Sequence, residues 1–363
     1  MGCRLLYLVG QLRPGGLERQ LCYLLQAMNR GRYRPAVAVW NYHEGDTYVS
    51  HIQALDVPLY ALPRGSGSVR FKAFRRLVRK LKPEVVHSYS SYTNFAAWWA
   101  TLRTKTATAG ALQSEFTEMM KESGPWLGRL SARWPRTQIF NSRAAAERAR
   151  CSKGLFVPQR VYVVRNGIDL QYFRDVPLST TGQACILSVG SLLPVKRWDR
   201  LLGAVLALKR RGFDFLVRLV GDGPLREPLT QQAQALGVTD CVEFMGYRDD
   251  IPDLLAHATF LVHTSDSEGL PNAVLEAMAC GRAVVATDVG DTPSLVEDQK
   301  TGFVVPRGDD AALVERMATL IADRELCRRM GRAGRLKAEQ EFGLDRLVSE
   351  TLAAYRAAGW KDT

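Results

Sequence analysis

The chain has 363 residues, too many for one ordinary hydrophobic core, which predicts two domains of roughly 150–200 residues each. Hydrophobic residues make up 46% of the chain, which excludes a disordered protein, and seven cysteines without CxxC spacing favour a reducing compartment over a disulfide framework. The net charge of +12 is concentrated in residues 1–175, where 27 Lys and Arg against 11 Asp and Glu give +16, while the remainder has 22 against 26, or −4.

Short apolar segments typical of buried strands alternate with helical patterns along the whole chain. The opening MGCRLLYLVGQL predicts a first strand, because its apolar run is too short for a signal peptide. No apolar run is long enough to predict a membrane span. The strands predicted in the first half are RLLYLVGQL, RPAVAVW, VPLYALP, EVVHSYS, TATAGAL, TQIFNS and RVYVVRNG. Those predicted in the second half are CILSVGSL, FLVRLVGDG, CVEFMGY, TFLVHTS, AVVATDVG and GFVVPRG.

This alternation predicts the α/β class, with two doubly wound domains built on parallel sheets. Between the two sets of strands, the Pro, Ser, Thr and Gly residues of 166–184 indicate a linker. The predicted domains are 1–168 and 169–343, followed by an amphipathic helix within 344–363 that could pack back on the first domain. Ligands of doubly wound sheets bind outside the carboxyl ends of the strands, so a cleft between the two sheets is the expected site.

Glycine turns occur between a strand and a helix in both halves. In LRPGGLERQL, Gly15 and Gly16 place free backbone N–H groups at a helix start, which suits an anion, although a plain β–α turn explains the pattern equally well. The segment is not GxGxxG, so a dinucleotide site is not predicted. In SVGSLLPVKRWDRLL, Lys196 precedes a helix where a cation could meet a diphosphate, with a solvated surface lysine as the alternative.

The segment SDSEGLPNAVLEAMACG, 265–281, carries two glutamates eight positions apart. The pattern predicts a helix with Pro271 at its first position, Glu268 in the preceding loop and Glu276 about one and a half turns into the helix. The two carboxylates would then lie on the order of 10 Å apart, which is too far for sharing one proton. They suit two parts of one extended ligand rather than a general acid and base, and the alternative is two surface charges.

Over nearly its whole length the sequence resembles the family-4 retaining glycosyltransferases. The resemblance is carried by GGLERQL, VVRNGIDLQYF, SVGSLLPVKRWDRLL, LVGDGPL, the long run from VEFMGYRDDIPDLL through the Glu–seven residues–Glu segment to TGFVVP, and the closing helix. It implies a GT-B fold, in which two Rossmann-like domains face each other across a cleft. It also implies transfer of a sugar from a nucleotide-sugar, with a UDP-sugar favoured, to an acceptor hydroxyl with retention at the anomeric carbon. No cofactor and no metal are implied, and the sequence contains no Asp-x-Asp.

The resemblance further assigns roles to individual residues. Lys196 and Glu268 are the implied catalytic residues: Lys196 would neutralise the diphosphate together with the amides of the helix near Pro271, and Glu268 would hydrogen-bond the donor sugar. Glu276 would hold the ribose hydroxyls. The other implied donor-binding residues are Gly269, Leu270, Pro271 and Asn272 along the diphosphate and sugar, Gly246 and Arg248 at the base, Ser191, and Gly15 and Gly16 on the opposite lip of the cleft.

Two positions depart from the family pattern. Ser191 stands where the family commonly has an arginine that partners the lysine, and Arg197 or Arg248 could supply the missing charge. The usual first-domain histidine has no counterpart in TATAGALQSEF. His87, at the end of the preceding predicted strand, is the substitute candidate, with a structural role as the alternative. A catalytically weak homologue is therefore one alternative to an active transferase.

Residues 69–83, VRFKAFRRLVRKLKP, predict a basic amphipathic helix without an acidic residue. Such a helix suits an anionic membrane surface, and the alternative is an ordinary helix whose apolar face docks on its sheet. A second stretch, EMMKESGPWLGRLSARWPR, could shape an acceptor groove or touch lipid, or could form a core helix. The predicted acceptor is a lipid-linked or saccharide intermediate of surface polysaccharide synthesis, and the predicted location is cytoplasmic, peripheral on the inner face of the membrane.

Two further hypotheses belong to other classes. Nucleic-acid binding would use the basic charge, but no helix-turn-helix, zinc-finger or RNP-like motif occurs, so no nucleic acid is predicted as a partner. A sugar-nucleotide epimerase of GT-B-like fold would convert the donor without an acceptor, which separates it from a transferase.

Overall fold

The computed structural model describes residues 4–112, 125–179 and 181–362. The chain divides into two compact units, the first formed by the residues up to Gly167 together with those from Leu344 onward, and the second by Ile168–Gly343. Each unit is built on one parallel sheet. Both sheets belong to the doubly wound class that the alternating pattern predicts, so the predicted fold class is confirmed.

The first unit contains a sheet of seven parallel strands in the order β3-β2-β1-β4-β5-β6-β7. Its strands are β1 (Leu5–Val9), β2 (Pro35–Val39), β3 (Leu59–Ala61), β4 (Val85–Ser88), β5 (Ala107–Leu112), β6 (Thr137–Phe140) and β7 (Arg160–Val163). Its helices before the second unit are α1 (Gly16–Ala27), α2 (Arg30–Tyr33), α3 (Thr47–Gln53), α4 (Gly67–Leu81), α5 (Asn94–Thr101), α6 (Pro125–Arg133) and α7 (Arg143–Cys151).

The second unit contains a sheet of six parallel strands in the order β10-β9-β8-β11-β12-β13. Its strands are β8 (Ala184–Val189), β9 (Phe215–Val220), β10 (Val242–Gly246), β11 (Phe260–His263), β12 (Ala283–Thr287) and β13 (Gly302–Val305). Its helices are α8 (Trp198–Arg210), α9 (Arg226–Ala235), α10 (Ile251–His257), α11 (Asn272–Ala279), α12 (Thr292–Leu295), α13 (Asp310–Ala322) and α14 (Arg324–Glu341).

The central strands are apolar because helices cover both faces of each sheet. Every residue of β1, β11 and β12 is buried, which is the near-continuous apolar pattern expected of a parallel strand. Each of the thirteen strand segments predicted from the sequence overlaps a strand of the structure, although β8 begins one residue before its predicted segment. The strands are shorter than the apolar segments, because the polar residues at their carboxyl ends leave the sheet and enter the loops.

Each sheet reverses its strand order at one point, between β1 and β4 in the first unit and between β8 and β11 in the second. The loops after two such strands leave the sheet in opposite directions, which opens a crevice at their carboxyl ends where doubly wound proteins bind ligands. In the second unit these loops carry Lys196 and Glu268. In the first unit they carry the turn at Gly15 and Gly16 and the segment after His87.

The chain returns to the first unit after α14. The last helix, α15 (Leu344–Ala357), buries Leu347 and Tyr355 in the same core as β1 and α1, and Trp360 follows them. The Nε1–H of Trp360 donates to Glu84 Oε2 at 2.8 Å, which fixes the chain after α15 to the loop before β4. The predicted amphipathic helix is therefore a part of the first unit's core.

The apolar face of α4 packs inside its own unit. Phe74 and Val78 are buried in a cluster with residues of β1 and β2, while Phe71 and Leu77 pack against that cluster. The apolar face of 69–83 thus follows the alternative of an ordinary docked helix. The basic side chains of α4 remain outside this core.

The second basic and aromatic stretch is only partly described, because Met119 and Met120 lie outside the described residues. In α6, Trp126 is 71% exposed and Leu127 is 49% exposed, so these two side chains do not belong to a core. Trp134 stacks on Trp98, with ring centroids 4.6 Å apart. Among the described residues, none of the helices combines the length and the apolarity that crossing a bilayer requires.

Candidate functional site

Two loops of the second unit form the candidate site, one after β8 and one after β11. The first contains the short 3₁₀ turn Pro194–Lys196, and the second runs from Thr264 to Pro271. The Thr264 hydroxyl donates to the carbonyl of Lys196 at 2.9 Å, and the Asp266 N–H donates to the carbonyl of Val195 at 2.8 Å. The two loops are therefore fixed to each other by one side-chain and one backbone hydrogen bond.

The Lys196 and Glu268 side chains meet directly. Glu268 Oε1 accepts from Lys196 Nζ at 2.5 Å and from the Ser265 hydroxyl at 2.6 Å, and His263 Nε2 lies 3.1 Å from the same oxygen. The side chains of the ion pair are only 22% and 13% exposed. The structure thus places both predicted catalytic residues in one half-buried cluster at the point where the strand order reverses.

The pKa of the Glu268 carboxyl lies well below its usual range. Burial raises that pKa, but the hydrogen bond and the field of His263, and then the charge and hydrogen bond of Lys196, lower it by more. Glu268 therefore stays ionised at neutral pH and accepts hydrogen bonds rather than supplying a proton. For Glu268 this agrees with the interpretation that it does not act as a general acid.

The loop of Glu268 packs closely on Gly290, in the turn after β12. Gly290 has φ +55°, and a Cβ atom there would lie 2.1 Å from the carbonyl oxygen of Glu268 and 2.6 Å from that of Gly269. The Asp291 N–H also donates to the Gly269 carbonyl at 2.9 Å. A side chain at position 290 would therefore push the Glu268 loop away from β12.

We expect Gly290→Ala to displace the Glu268 loop and to weaken binding of a nucleotide-sugar by at least about tenfold, or roughly 1.4 kcal/mol. Gly308→Ala is the matched control, because Gly308 also has positive φ, +84°, but nothing lies within 4 Å of its Cβ position. Both variants carry the same kind of backbone strain, so calorimetric titration isolates the effect of the clash. Equal affinities in the two variants would contradict this account.

The helix α11 begins at Asn272 and not at Pro271. Pro271 has ψ 108°, an extended conformation, so it occupies the N-cap and the predicted start is wrong by one residue. The N-cap residue of α11 makes no side-chain capping hydrogen bond. Gly269 and Leu270 precede the helix, and Glu276, 2% exposed, lies within it. The predicted order of loop glutamate, helix start and helix glutamate is therefore present.

The two arginines considered as substitutes at Ser191 are both held by aspartates. Arg197 Nη1 donates to Asp266 at 2.8 Å and Arg197 Nη2 to Asp199 at 2.9 Å. Arg248 Nε donates to Asp250 at 2.7 Å and lies at the surface, after Gly246 at the end of β10. Ser191 is exposed, and its carbonyl accepts from the Trp198 indole at 3.0 Å. Both arginines thus already have carboxylate partners, and the replacement of the family arginine by either of them stays a prediction.

The turn at Gly15 and Gly16 faces a carboxyl group that the sequence analysis missed. α1 begins at Gly16, and a Cβ on Gly15 would lie 2.2 Å from Glu18 Oε2, so this side chain folds back over the helix start. Burial raises the pKa of Glu18 to about 7, with the nearby Asp46 adding to the effect. The sequence signal was a glutamate at the third helical position, where capping residues commonly stand.

His87 lies on β4, deep within the first unit. Its Nδ1 is 2.8 Å from the Tyr355 hydroxyl of α15, and its side chain also contacts Tyr7 and Tyr89. Burial lowers the pKa of His87 to about 3, so the ring stays uncharged at neutral pH. Its Nε2 faces a small cavity of about 20 Å³, room for one water molecule, whose lining includes Gln20 and Asn141. These contacts are those of a structural residue, while the candidate role of His87 near the sugar stays a prediction.

The sequence analysis also missed His263, Ser265 and Asp266. His263 ends β11, and Asp266 joins Arg197, Arg200 and Arg307 in one ion-pair cluster. The signal that could have identified these residues is their polarity at the end of a buried strand, since ligands bind beyond the carboxyl ends of such strands. In the parts of the chain that the structure describes, no group of three His, Cys, Asp or Glu side chains is placed to hold a metal ion.

Comparison with known proteins agrees with this architecture. Residues 15–167 match the family described as Glycosyl transferase 4-like domain, and residues 171–337 match Glycosyl transferases group 1. N-acetyl-alpha-D-glucosaminyl L-malate synthase of Bacillus anthracis is 28% identical over 200 residues, 55% of this chain and 51% of that protein. D-inositol 3-phosphate glycosyltransferase of Salinispora arenicola is 33% identical over 227 residues, 55% of this chain and 50% of that protein. The chain spans about half the length of the curated relatives it matches.

Among solved structures, Alr3699/HepE of Anabaena in complex with UDP-glucose superposes with a TM-score of 0.82 at 21% identity. The superposition covers 97% of this chain and 99% of that one. Sucrose-phosphate synthase of Thermosynechococcus elongatus reaches a TM-score of 0.82 at 18% identity, covering 98% of each chain. These similarities show the same fold. The two family matches together extend over most of the chain and include both candidate loops, and the chain belongs to the family-4 glycosyltransferases of GT-B fold.

Proposed function

We propose that this protein is a retaining, metal-independent glycosyltransferase that moves a sugar from a UDP-sugar to an acceptor hydroxyl. The observation that carries the proposal is the Lys196–Glu268 cluster beside the uncapped start of α11, at the reversal of strand order in the second sheet. A cation and the amides at a helix start suit a diphosphate, and a carboxylate kept ionised suits sugar hydroxyls. The complex of the Anabaena neighbour with UDP-glucose supports the choice of donor.

In this proposal the second unit binds the donor and the first unit binds the acceptor. Glu276 receives the ribose hydroxyls, Gly246 and Arg248 border the base, and the segment Gly269–Asn272 follows the diphosphate. Gly15 and Gly16 contribute from the first unit. Family membership and the relatives' activities favour sugar transfer over an epimerase.

The proposed chemistry is electrostatic. As the bond between the anomeric carbon and the diphosphate oxygen breaks, negative charge develops on the leaving nucleoside diphosphate. Lys196 and the first amides of α11 stabilise that charge, which is a large catalytic contribution in general. The acceptor hydroxyl attacks the same face of the sugar, loses its proton towards the departing diphosphate, and forms the new glycosidic bond. This order of events retains the configuration at the anomeric carbon.

A thermal-shift panel of UDP-, GDP- and ADP-sugars tests the donor assignment. We expect a UDP-sugar at 100 times its Kd to stabilise the protein by about 2.7 kcal/mol. NMR of the product then determines the anomeric configuration. Activity measured in excess EDTA determines whether a divalent metal is required. Stabilisation by GDP-sugars alone would refute the UDP assignment, and an inverted product would refute retention.

We further propose a lipid-linked or saccharide acceptor from surface polysaccharide synthesis, with the protein at the cytoplasmic face of an anionic membrane. Support comes from α4, whose Lys72, Arg76 and Arg79 are exposed while its apolar face is docked. Together with Arg75 and Trp99 they line a surface pocket of about 210 Å³. The Arg75 guanidinium lies 4.6 Å from the centre of the Trp99 ring. Such a surface attracts phosphate headgroups without inserting into the bilayer.

Sedimentation with lipid vesicles tests this membrane surface. We expect binding to phosphatidylglycerol vesicles but not to phosphatidylcholine vesicles, and loss of that binding in Arg76→Glu/Arg79→Glu. Each basic residue near an anionic surface contributes about 1 kcal/mol, so reversing two charges should weaken binding by about 30-fold or more. Arg329→Glu/Arg332→Glu makes the same charge change on exposed positions of α14 and serves as the control. Equal loss of vesicle binding in both variants would indicate that binding depends on the net charge of the protein and not on the surface of α4.

A further inference from the structure

The three donors around Glu268 all approach one of its two oxygens. Lys196 Nζ, Ser265 Oγ and His263 Nε2 lie 2.5, 2.6 and 3.1 Å from Oε1. Oε2 has no hydrogen-bond partner among the residues that the structure describes, and it is the atom that a ligand hydroxyl can reach. The carboxylate is thus anchored by Oε1 and offers Oε2.

The His263 ring has one orientation of its proton that fits this arrangement. Its Nδ1 is buried and has no hydrogen-bond partner, whereas Nε2 faces Glu268 Oε1. A proton on Nδ1 alone would leave a buried N–H without an acceptor and would turn a lone pair of Nε2 towards a carboxylate. The proton therefore belongs on Nε2, where it lies between Glu268 Oε1 at 3.1 Å and Ser265 Oγ at 3.4 Å and is closer to the carboxylate.

The backbone that carries His263 and Ser265 is rigid. His263 is 5% exposed and pairs with Ala286 in the sheet, and Ser265 is fully buried. The Thr287 hydroxyl donates to the carbonyl of Ser265 at 2.6 Å, which ties the end of β11 to the end of β12. His263 comes from the sheet and Ser265 from the loop residue tied to β12, whereas Lys196 comes from a separate loop on a flexible side chain.

We propose that His263, with Ser265, is a positioning residue that holds Glu268 in place when Lys196 leaves it for the diphosphate of the donor. This inference rests on the proposed function, because it assumes that Lys196 and Glu268 serve different parts of one nucleotide-sugar. The Lys196 ammonium has three N–H donors on a flexible side chain, so a diphosphate competes with Oε1 for this ammonium, whereas the donors of His263 and Ser265 stay where the backbone holds them. Without His263, Ser265 would then be the one donor left on Oε1 among these three. The carboxylate could rotate, and Oε2 would no longer point consistently at the sugar.

The test compares the affinities for UDP and for UDP-glucose by calorimetric titration in wild type, His263→Leu and His263→Gln. The leucine variant removes the donor, and glutamine retains an N–H at a similar reach. We expect His263→Leu to bind UDP like the wild type but UDP-glucose about 10- to 100-fold more weakly, because the lost hydrogen bond goes to a charged group. We expect His263→Gln to recover most of that loss. His257→Leu, at an exposed position of α10, is the matched control.

The possible results separate the inference from the function on which it rests. If the wild type binds neither ligand, the proposed UDP-sugar donor is wrong and the inference fails with it. If the wild type binds both and His263→Leu binds UDP-glucose unchanged, only the role of His263 is refuted. If His263→Leu loses UDP and UDP-glucose equally and glutamine restores neither, His263 supports the fold rather than the position of Glu268, which also refutes the inference.

Discussion

Replacing Lys196 with alanine is expected to lower turnover by about 10²- to 10³-fold, the effect typical of removing one preorganised donor to developing negative charge. Lys196 sits on the turn before α8 and reaches Glu268 Oε1, in the loop that leads into α11. Because the charge on a departing diphosphate grows in the transition state, the lysine should matter more for turnover than for ground-state binding. Steady-state kinetics with the donor and acceptor identified by screening measure both quantities.

Two further variants test whether turnover depends on a positive charge at position 196. Lys196→Arg keeps the charge and should retain more activity than the alanine variant. Lys300→Ala is a matched control, because Lys300 also pairs with a glutamate in the second unit but is 69% exposed and far along the sequence from both loops. Arg197 is already paired with Asp199 and Asp266, so we do not expect it to replace the lost charge. Wild-type turnover in Lys196→Ala would therefore show that Lys196 is not a catalytic residue.

The strands could be predicted from the sequence because parallel strands covered on both faces leave long apolar runs, as in LLYLV and FLVH. The positions of Lys196 and Glu268 after strands could be predicted for the same reason. Their direct contact could not, because it joins side chains 72 positions apart through rotamers that no local pattern specifies. The order β10-β9-β8-β11-β12-β13 brings the two loops together, and the sequence pattern contains the strands but not that order.

Other features could not be predicted from the sequence, for different physical reasons. His263 looks like one polar residue at the end of a strand, and its role depends on Glu268 folding back five positions later. The buried carboxyl of Glu18 depends on its packing over Gly15, so its raised pKa has no trace in the sequence. The basic pattern of 69–83 was visible, yet only the packing of Phe74 and Val78 decides which face remains at the surface. Local patterns thus locate the elements, and tertiary packing sets the chemistry.

Replacing Glu276 with alanine is expected to weaken UDP binding by about 100-fold or more. In the proposed site this carboxylate accepts from both ribose hydroxyls, and each hydrogen bond to a charged group contributes roughly 1.5–3 kcal/mol. The side chain is 2% exposed and lies within α11, so its position is set by the helix and not by a mobile loop. The loss should be equal for UDP and UDP-glucose, whereas a defect at Glu268 should appear only with the sugar attached. Calorimetric titration with both ligands separates the two glutamates.

Glu243→Ala provides the control for Glu276, because Glu243 pairs with Arg218 at an exposed position of the same unit. Since Glu276 is buried, its alanine variant leaves a small cavity, so the melting temperature must be measured alongside affinity. Glu276→Gln keeps the volume and should still lose affinity, because an amide accepts more weakly than a carboxylate and turns N–H donors towards ribose hydroxyls. A glutamine variant with wild-type melting temperature and unchanged UDP affinity would show that Glu276 supports α11 and does not hold the nucleotide. A selective loss of affinity would place the ribose at α11 and leave Glu268 for the sugar.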